Sequence, residues 1–122
     1  MTAPTPFAAV ELRFLTSGHK PLGRVATVGR DGIPHVVPSG WTFEQDVGTL
    51  DVTGRDVQNT KKFRDVERTG KAAIVIDGVA EGDGWNPWAI EIGGRAEAID
   101  GPQAFIRIHP DRVRSWGLER LV

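Results

Sequence analysis

The chain has 122 residues, room for one domain with a real core, and its 39% apolar and 25% charged content is that of an ordinary soluble globular protein. A formal net charge of −1 supplies no field for general nucleic-acid binding, and no apolar run reaches bilayer-spanning length. The absence of cysteine excludes disulfides, thiolate catalysis and cysteine-held zinc.

The opening MTAPTPFAAVEL has neither the basic region nor the long apolar core of a secretory signal, so a cytoplasmic protein without membrane contact is expected. Residues 1–6 read as a flexible N-terminus, ahead of a single domain over 7–122. Phe7 to Ser17 predicts a helix with Phe7, Val10 and Phe14 on one stripe, Leu12 and Leu15 broadening it, and Gly18 as the stop. In LGRVATVGRDGIPHVVPSGWTF, Asp31-Gly32 signals a two-residue hairpin between strands at roughly 22–29 and 33–43. Pro34 and Pro38 donate no ladder bonds, so the second strand must be an edge, or irregular, for part of its length. GTLDVT follows a turn at Glu44–Val47 as a third strand.

Asp56 or Asn59 is positioned to cap a short helix through Arg68 that ends at Gly70. Phe63 and Val66 would face inward, leaving Lys61, Arg64, Asp65 and Arg68 largely free. KAAIVID predicts a buried strand, and GVAEGDGWNP a glycine-rich acidic loop. From Trp88 to Ile99 the pattern alternates, with Trp88, Ile90, Ile92, Ala96 and Ala98 on one face and Glu91, Arg95 and Glu97 on the other. AFIRIHPDRVRSWGL predicts two short strands around a turn at Pro110-Asp111. Short, numerous strands with two short helices predict a mainly β fold, a small β-barrel rather than a doubly wound sheet.

GRDVQNTKKFRDVERTG gathers Arg55, Lys61, Lys62, Arg64 and Arg68 just ahead of the apolar strand. A helix N-terminus there offers unpaired N–H groups and a positive dipole end, which attract an anion. Thr60 adds a hydroxyl, Lys61 and Lys62 add full charges, and each hydrogen bond to a phosphate contributes roughly 1.5–3 kcal/mol. The same residues also suit a solvated amphipathic helix balanced by Asp65 and Glu67. His19, His35 and His109 show no ligand spacing, so no metal site is expected. His35, beside two prolines, either lines a pocket or is a polar residue on a strand face, and His109 reads as a turn residue. Ser39 lies in PSG, not in a GxSxG elbow, so hydrolase chemistry has no support. Trp41, Trp85, Trp88 and Trp116 read as core or interface residues.

The run TKKFRDVERTGKAA, Thr60 to Ala73, resembles the signature of the pyridoxamine 5′-phosphate oxidase-like split-barrel family. Lys62 falls on its lysine, Val66 on its leucine, Thr69-Gly70 on its Asn/Asp-Pro, and Ala72-Ala73 on its small pair. VATVGRDGIPHVVPSGWTF is similar to the family's opening hairpin, and IRIHPDRVRSWG to the ending common in its actinobacterial deazaflavin-dependent branch. This resemblance, over about residues 10–118, implies an FMN-binding-like split β-barrel homodimer with a flavin-type cofactor in a groove between subunits. Carried over position by position, it implies that Thr60, Lys61 and Lys62 hold the cofactor's phosphate, with Thr53 helping from the side. His35, Val36, Val37, Pro38 and Ser39 would run along the ring, touching it largely through backbone. Thr69-Gly70 departs from the pattern and alters the helix stop. The arginine-bearing segment that grips substrate in the oxidases proper has no counterpart before Val122, so vitamin B6 oxidation is not expected.

The function implied is hydride transfer between coenzyme F420 and a small unsaturated or quinone-like substrate, the cofactor supplying the chemistry. Arg55, Arg64 and Arg68 would serve the acidic oligoglutamate tail of F420, whereas FMN, the alternative, needs only the phosphate seat. A different class of reading is a non-catalytic carrier of flavin or F420, or a tetrapyrrole binder with His35 as axial ligand.

Overall fold

The computed structural model describes residues 5–122, so the first four residues of the expected flexible N-terminus lie outside the described residues. In chain order the elements are α1 (Ala9–Leu15), β1 (Gly23–Val28), β2 (Pro34–Glu44), β3 (Thr49–Thr53), a 3₁₀ turn (Val57–Asn59) and α2 (Lys61–Thr69). β4 (Lys71–Val79), β5 (Pro87–Ile99), β6 (Phe105–Ile108), β7 (Arg112–Trp116) and a second 3₁₀ turn (Leu118–Arg120) follow. No helix among the described residues is long and apolar enough to cross a membrane.

The strands pair antiparallel throughout, in the order β4-β1-β2-β3-β6-β5, and β5 returns to β4, which closes a six-stranded barrel with β7 added beside β5. Closure removes the unpaired edges that a small open sheet would expose. Two long strands serve both halves. β2 pairs with β1 over Pro34–Ser39 and with β3 over Gly40–Glu44, while β5 pairs with β4 over Pro87–Arg95 and with β6 over Ala96–Ile99.

Alternation fills the barrel. Val25, Leu50, Val52, Ile74, Ile76, Ile90, Ile92, Ile106 and Ile108 are buried, and each such side chain contributes roughly 1.5–3 kcal/mol by leaving water. α1 packs the fully buried Phe14 against the rings of Trp41 and Trp88, at centroid distances of 6.5 and 5.3 Å. Glu11 is buried beside it, accepting from Ala8 N–H at 2.7 Å and from Ser115 Oγ at 2.5 Å.

Three local expectations need correction. The first hairpin is not a two-residue turn: Gly29 N–H donates to Ile33 O (3.1 Å) and Gly32 N–H to Gly29 O (2.9 Å), which leaves a loop of Arg30, Asp31 and Gly32. Gly32, at φ 79°, takes the left-handed position of a bulged three-residue loop. α2 is capped by Thr60, whose Oγ1 accepts from Phe63 N–H at 3.4 Å, rather than by Asp56 or Asn59. Phe63 and Val66 do face inward, but Asp65, expected to be free, is only 2% exposed.

Candidate cofactor site

Between Pro34 and Ser39, β2 is paired on one side only, because β3 covers it from Gly40 onward. Cross-strand partners share a face, so His35, Val37 and Ser39 lie with Thr27, Val25 and Gly23 on the inner face, while Val36 and Pro38 are exposed on the outer one. Ser39 Oγ donates to Thr53 O at 3.2 Å and to Gly40 O at 3.1 Å, tying the two strands at the point where β3 turns away. Thr53 is exposed there, opposite Gly40. The chain then runs through the 3₁₀ turn into α2, so the open edge of β2 and the start of α2 flank the departure of β3.

The three residues expected to hold an anion at the start of α2 differ in state. Thr60 Oγ1 donates to Val57 O at 2.5 Å while capping the helix, so its proton is committed. Lys61 Nζ bonds both carboxylate oxygens of Asp65, at 2.9 and 3.1 Å. That ammonium lies over Gly29, where a Cβ would approach it to 2.7 Å. Lys62 is 9% exposed and its ammonium has no hydrogen bond or ion pair among the described residues; burial pushes its pKa down. Successive helical residues point about 100° apart, which is how neighbours in sequence reach such different surroundings.

Asp65 anchors the helix to the barrel. Burial pulls its pKa upward, but hydrogen bonds from Lys61, Thr27 and Arg68 outweigh burial and hold it below the usual carboxylate range. Thr27 Oγ1 donates at 2.8 Å and Arg68 at 3.3 Å, and Arg68 also reaches the Val28 carbonyl. Thr27 is the cross-strand partner of His35, so this buried carboxylate anchors α2 to β1, the strand that pairs with the first half of β2.

Outside α2 a 350 Å³ pocket is lined by Arg30, Asp31, Lys61, Arg64, Asp65 and Arg68. Arg64 spends one donor on Asn59 O at 3.1 Å, and Arg55 is exposed further upstream. Arg30, absent from the sequence reading of the site, is brought there by the first hairpin. His109 Nε2 lies 2.7 Å from Glu97 Oε2 and His19 stacks on Phe14. Among the described residues no cluster of histidine and carboxylate ligands could hold a metal ion.

A closed antiparallel barrel with one half-open strand, packed with two short helices, defines a split-barrel protein. Residues 11–117 match the family model described as pyridoxamine 5′-phosphate oxidase, and the chain belongs to that family. It is 36% identical over 123 aligned residues to the 5a,11a-dehydrotetracycline/5a,11a-dehydrooxytetracycline reductase of Streptomyces rimosus subsp. rimosus, with 93% of this chain and 85% of that protein covered. Its fold is similar to that of a conserved hypothetical protein from Mycobacterium tuberculosis (TM-score 0.72, 17% identity, 99% of this chain and 91% of that one). It is also similar to an FAD-binding protein from Mesorhizobium loti (TM-score 0.66, 20% identity, 89% and 91% covered).

Proposed function

We propose that this protein is a flavin-type reductase that uses coenzyme F420 as hydride donor and reduces a conjugated double bond or quinone-like group in a small molecule. The observation that carries the reading is Lys62, whose stem is buried at the start of α2 while its ammonium reaches the surface with no partner among the described residues. A partly desolvated cation left without a partner is poised to receive an anion, and a cofactor phosphate is such an anion. In this assignment Lys62, the first-turn N–H groups and the exposed Thr53 hydroxyl hold the phosphate, Thr60 shapes the turn, and Lys61 adds charge from its pair with Asp65. His35 to Ser39 lie along the ring. Bound in reduced form, F420 supplies the hydride; the chain binds it, orients it and excludes water.

Two features support the finer choices. Arg30, Arg55 and Arg64 offer cations beyond the phosphate seat, which suits the acidic tail of F420 and has no use with FMN. The Streptomyces relative is named for reducing dehydro compounds, which favours a carbon–carbon double bond as the hydride acceptor here. A homodimer is supported by Leu22, Val28, Val36, Val79 and Trp116, which are 46–59% exposed on the outer side of the β2-β1-β4-β5-β7 sheet or its margin.

Titrating the fluorescence of the four tryptophans with F420 and, separately, with FMN tests the assignment. Tighter F420 binding is expected. Tighter FMN binding would make this an FMN protein, and binding of neither would overturn the cofactor site. Oxidation of reduced F420 by quinones or enones then separates a reductase from a carrier.

A further inference from the structure

The sense of the hydrogen-bonding groups along the open edge of β2 follows from bonds at its two ends. Gly29 N–H donates to Ile33 O, and Thr27, Val25 and Gly23 pair in the same register with His35, Val37 and Ser39. Antiparallel partners alternate between pairs that exchange N–H···O bonds and pairs that do not, so His35, Val37 and Ser39 turn their backbone groups toward β1. At the far end Gly48 N–H donates to Glu44 O at 2.7 Å, which places the groups of the even-numbered residues on the β3 side. Pro34, Val36 and Pro38 therefore turn theirs to the open edge, where β3 does not reach. Prolines have no N–H. The edge is a strip of three carbonyl acceptors with a single donor, Val36 N–H, at intervals of about 6.8 Å.

We propose that Pro34 and Pro38 select the central ring of the cofactor, favouring a deazaflavin, with C–H at ring position 5, over an oxidised flavin, with nitrogen there. This rests on the reading that the ring lies along β2. In an oxidised flavin the nitrogen at position 5 and the adjacent ring carbonyl are both acceptors, and the single Val36 N–H satisfies one of them. With proline at 34 and 38 no second N–H on this edge can serve the other, which is left facing an edge carbonyl, lone pair against lone pair. The same carbonyl facing C–H makes a weak but attractive contact. Prolines on either side of Val36 thus discriminate through what they withhold, with no side-chain contact to the ring.

The test is tryptophan quenching by oxidised FMN and oxidised F420 in the wild type, Pro38→Ala, Pro34→Ala and Val36→Pro. Restoring a donor at 38 or 34 is expected to raise FMN affinity relative to F420 by about tenfold in at least one variant, the worth of one hydrogen bond. Val36→Pro, tolerable on an edge, is expected to weaken both cofactors. Because the prolines are replaced separately, one variant that fails to fold leaves the other readable. An unchanged affinity ratio in the folded proline variants overturns the proposal and leaves the Lys62 seat intact. A wild type that prefers FMN does the same, and a wild type that binds neither removes the cofactor reading beneath it.

Discussion

Lys62 and Asp65 lie within one turn of α2 with little residue exposure, yet the carboxylate is enclosed and paired while the Lys62 ammonium reaches the surface without a partner among the described residues. That contrast separates a residue that holds the fold from one that, on the proposed reading, receives a ligand. Lys62→Met keeps the buried stem and removes a charge that partial burial penalises, so unfolding stability is expected to stay unchanged or rise by less than about 1 kcal/mol. The same change should weaken phosphate-bearing cofactors by about a hundredfold. Urea unfolding and tryptophan titration read the two effects, and a variant that is less stable yet binds normally would contradict this role. The pH dependence has a definite sign. The folded pKa of Lys62 lies below its unfolded value of 10.5, so the wild type gains stability as pH rises from the lowered value toward 10.5, and Lys62→Met lacks that rise. Asp65 has the same sign in an acidic window. Its folded pKa lies below 3.8, so its contribution is complete above 3.8 and is lost as pH falls through the lowered value. Asp65→Asn is expected to cost about 1–3 kcal/mol at neutral pH and to flatten the acid limb of the unfolding profile.

At the scale of elements, the strands were legible because their signals are local. Period-two alternation and turn residues placed every strand within a few positions, and Gly70 ended α2 as expected, at φ 67°. What escaped were features that depend on distant partners. Asp-Gly marks a turn, but which turn is decided by where Ile33 pairs with Gly29. Asp65 reads as solvated on a helix face because its partner Thr27 lies 38 positions away on β1. For the same reason the adjacent Lys61 and Lys62 looked equivalent, and Arg30 looked unrelated to the site. The crossing of β5 from one half of the barrel to the other was equally hidden. It depends on Gly94, where a Cβ would strike the His109 carbonyl oxygen and lie 2.6 Å from Asp111 Oδ2. Asp111 in turn grips the main chain of Arg95 at 2.9 Å and its guanidinium at 3.0 and 3.1 Å, and those side-chain and backbone bonds hold its carboxyl down to about 2. Gly94→Ala is expected to destabilise by about 2–3 kcal/mol, read as a lowered melting temperature. An unchanged melt would mean that the β6–β7 turn yields freely.

The whole molecule presents one imbalance. Its barrel is closed, yet the outer side of the sheet that carries β1, β4, β5 and β7 bears half-exposed Val28, Val79 and Trp116, with Leu22 at its margin and Val36 beside the candidate ring position. A contiguous apolar patch, rather than apolar side chains scattered singly, marks an interaction surface, so this face is the candidate for packing against a second copy. Small residues Ala26, Ala73 and Gly93 line up across three strands within it and floor a 450 Å³ groove rimmed by Lys71, Arg95 and Arg112. A second copy packed on this face would cover the apolar residues and close the open edge of β2 from above, so dimerisation and cofactor binding would be linked. Val28→Asp combined with Trp116→Asp adds charge without touching the barrel interior. Light scattering after size exclusion is expected to show a dimer for the wild type and a monomer for the double variant. Cofactor affinity should fall with it even though Lys62 is intact. A variant that stays dimeric would place the interface elsewhere, and a monomer that binds as tightly as the wild type would confine the site to one subunit.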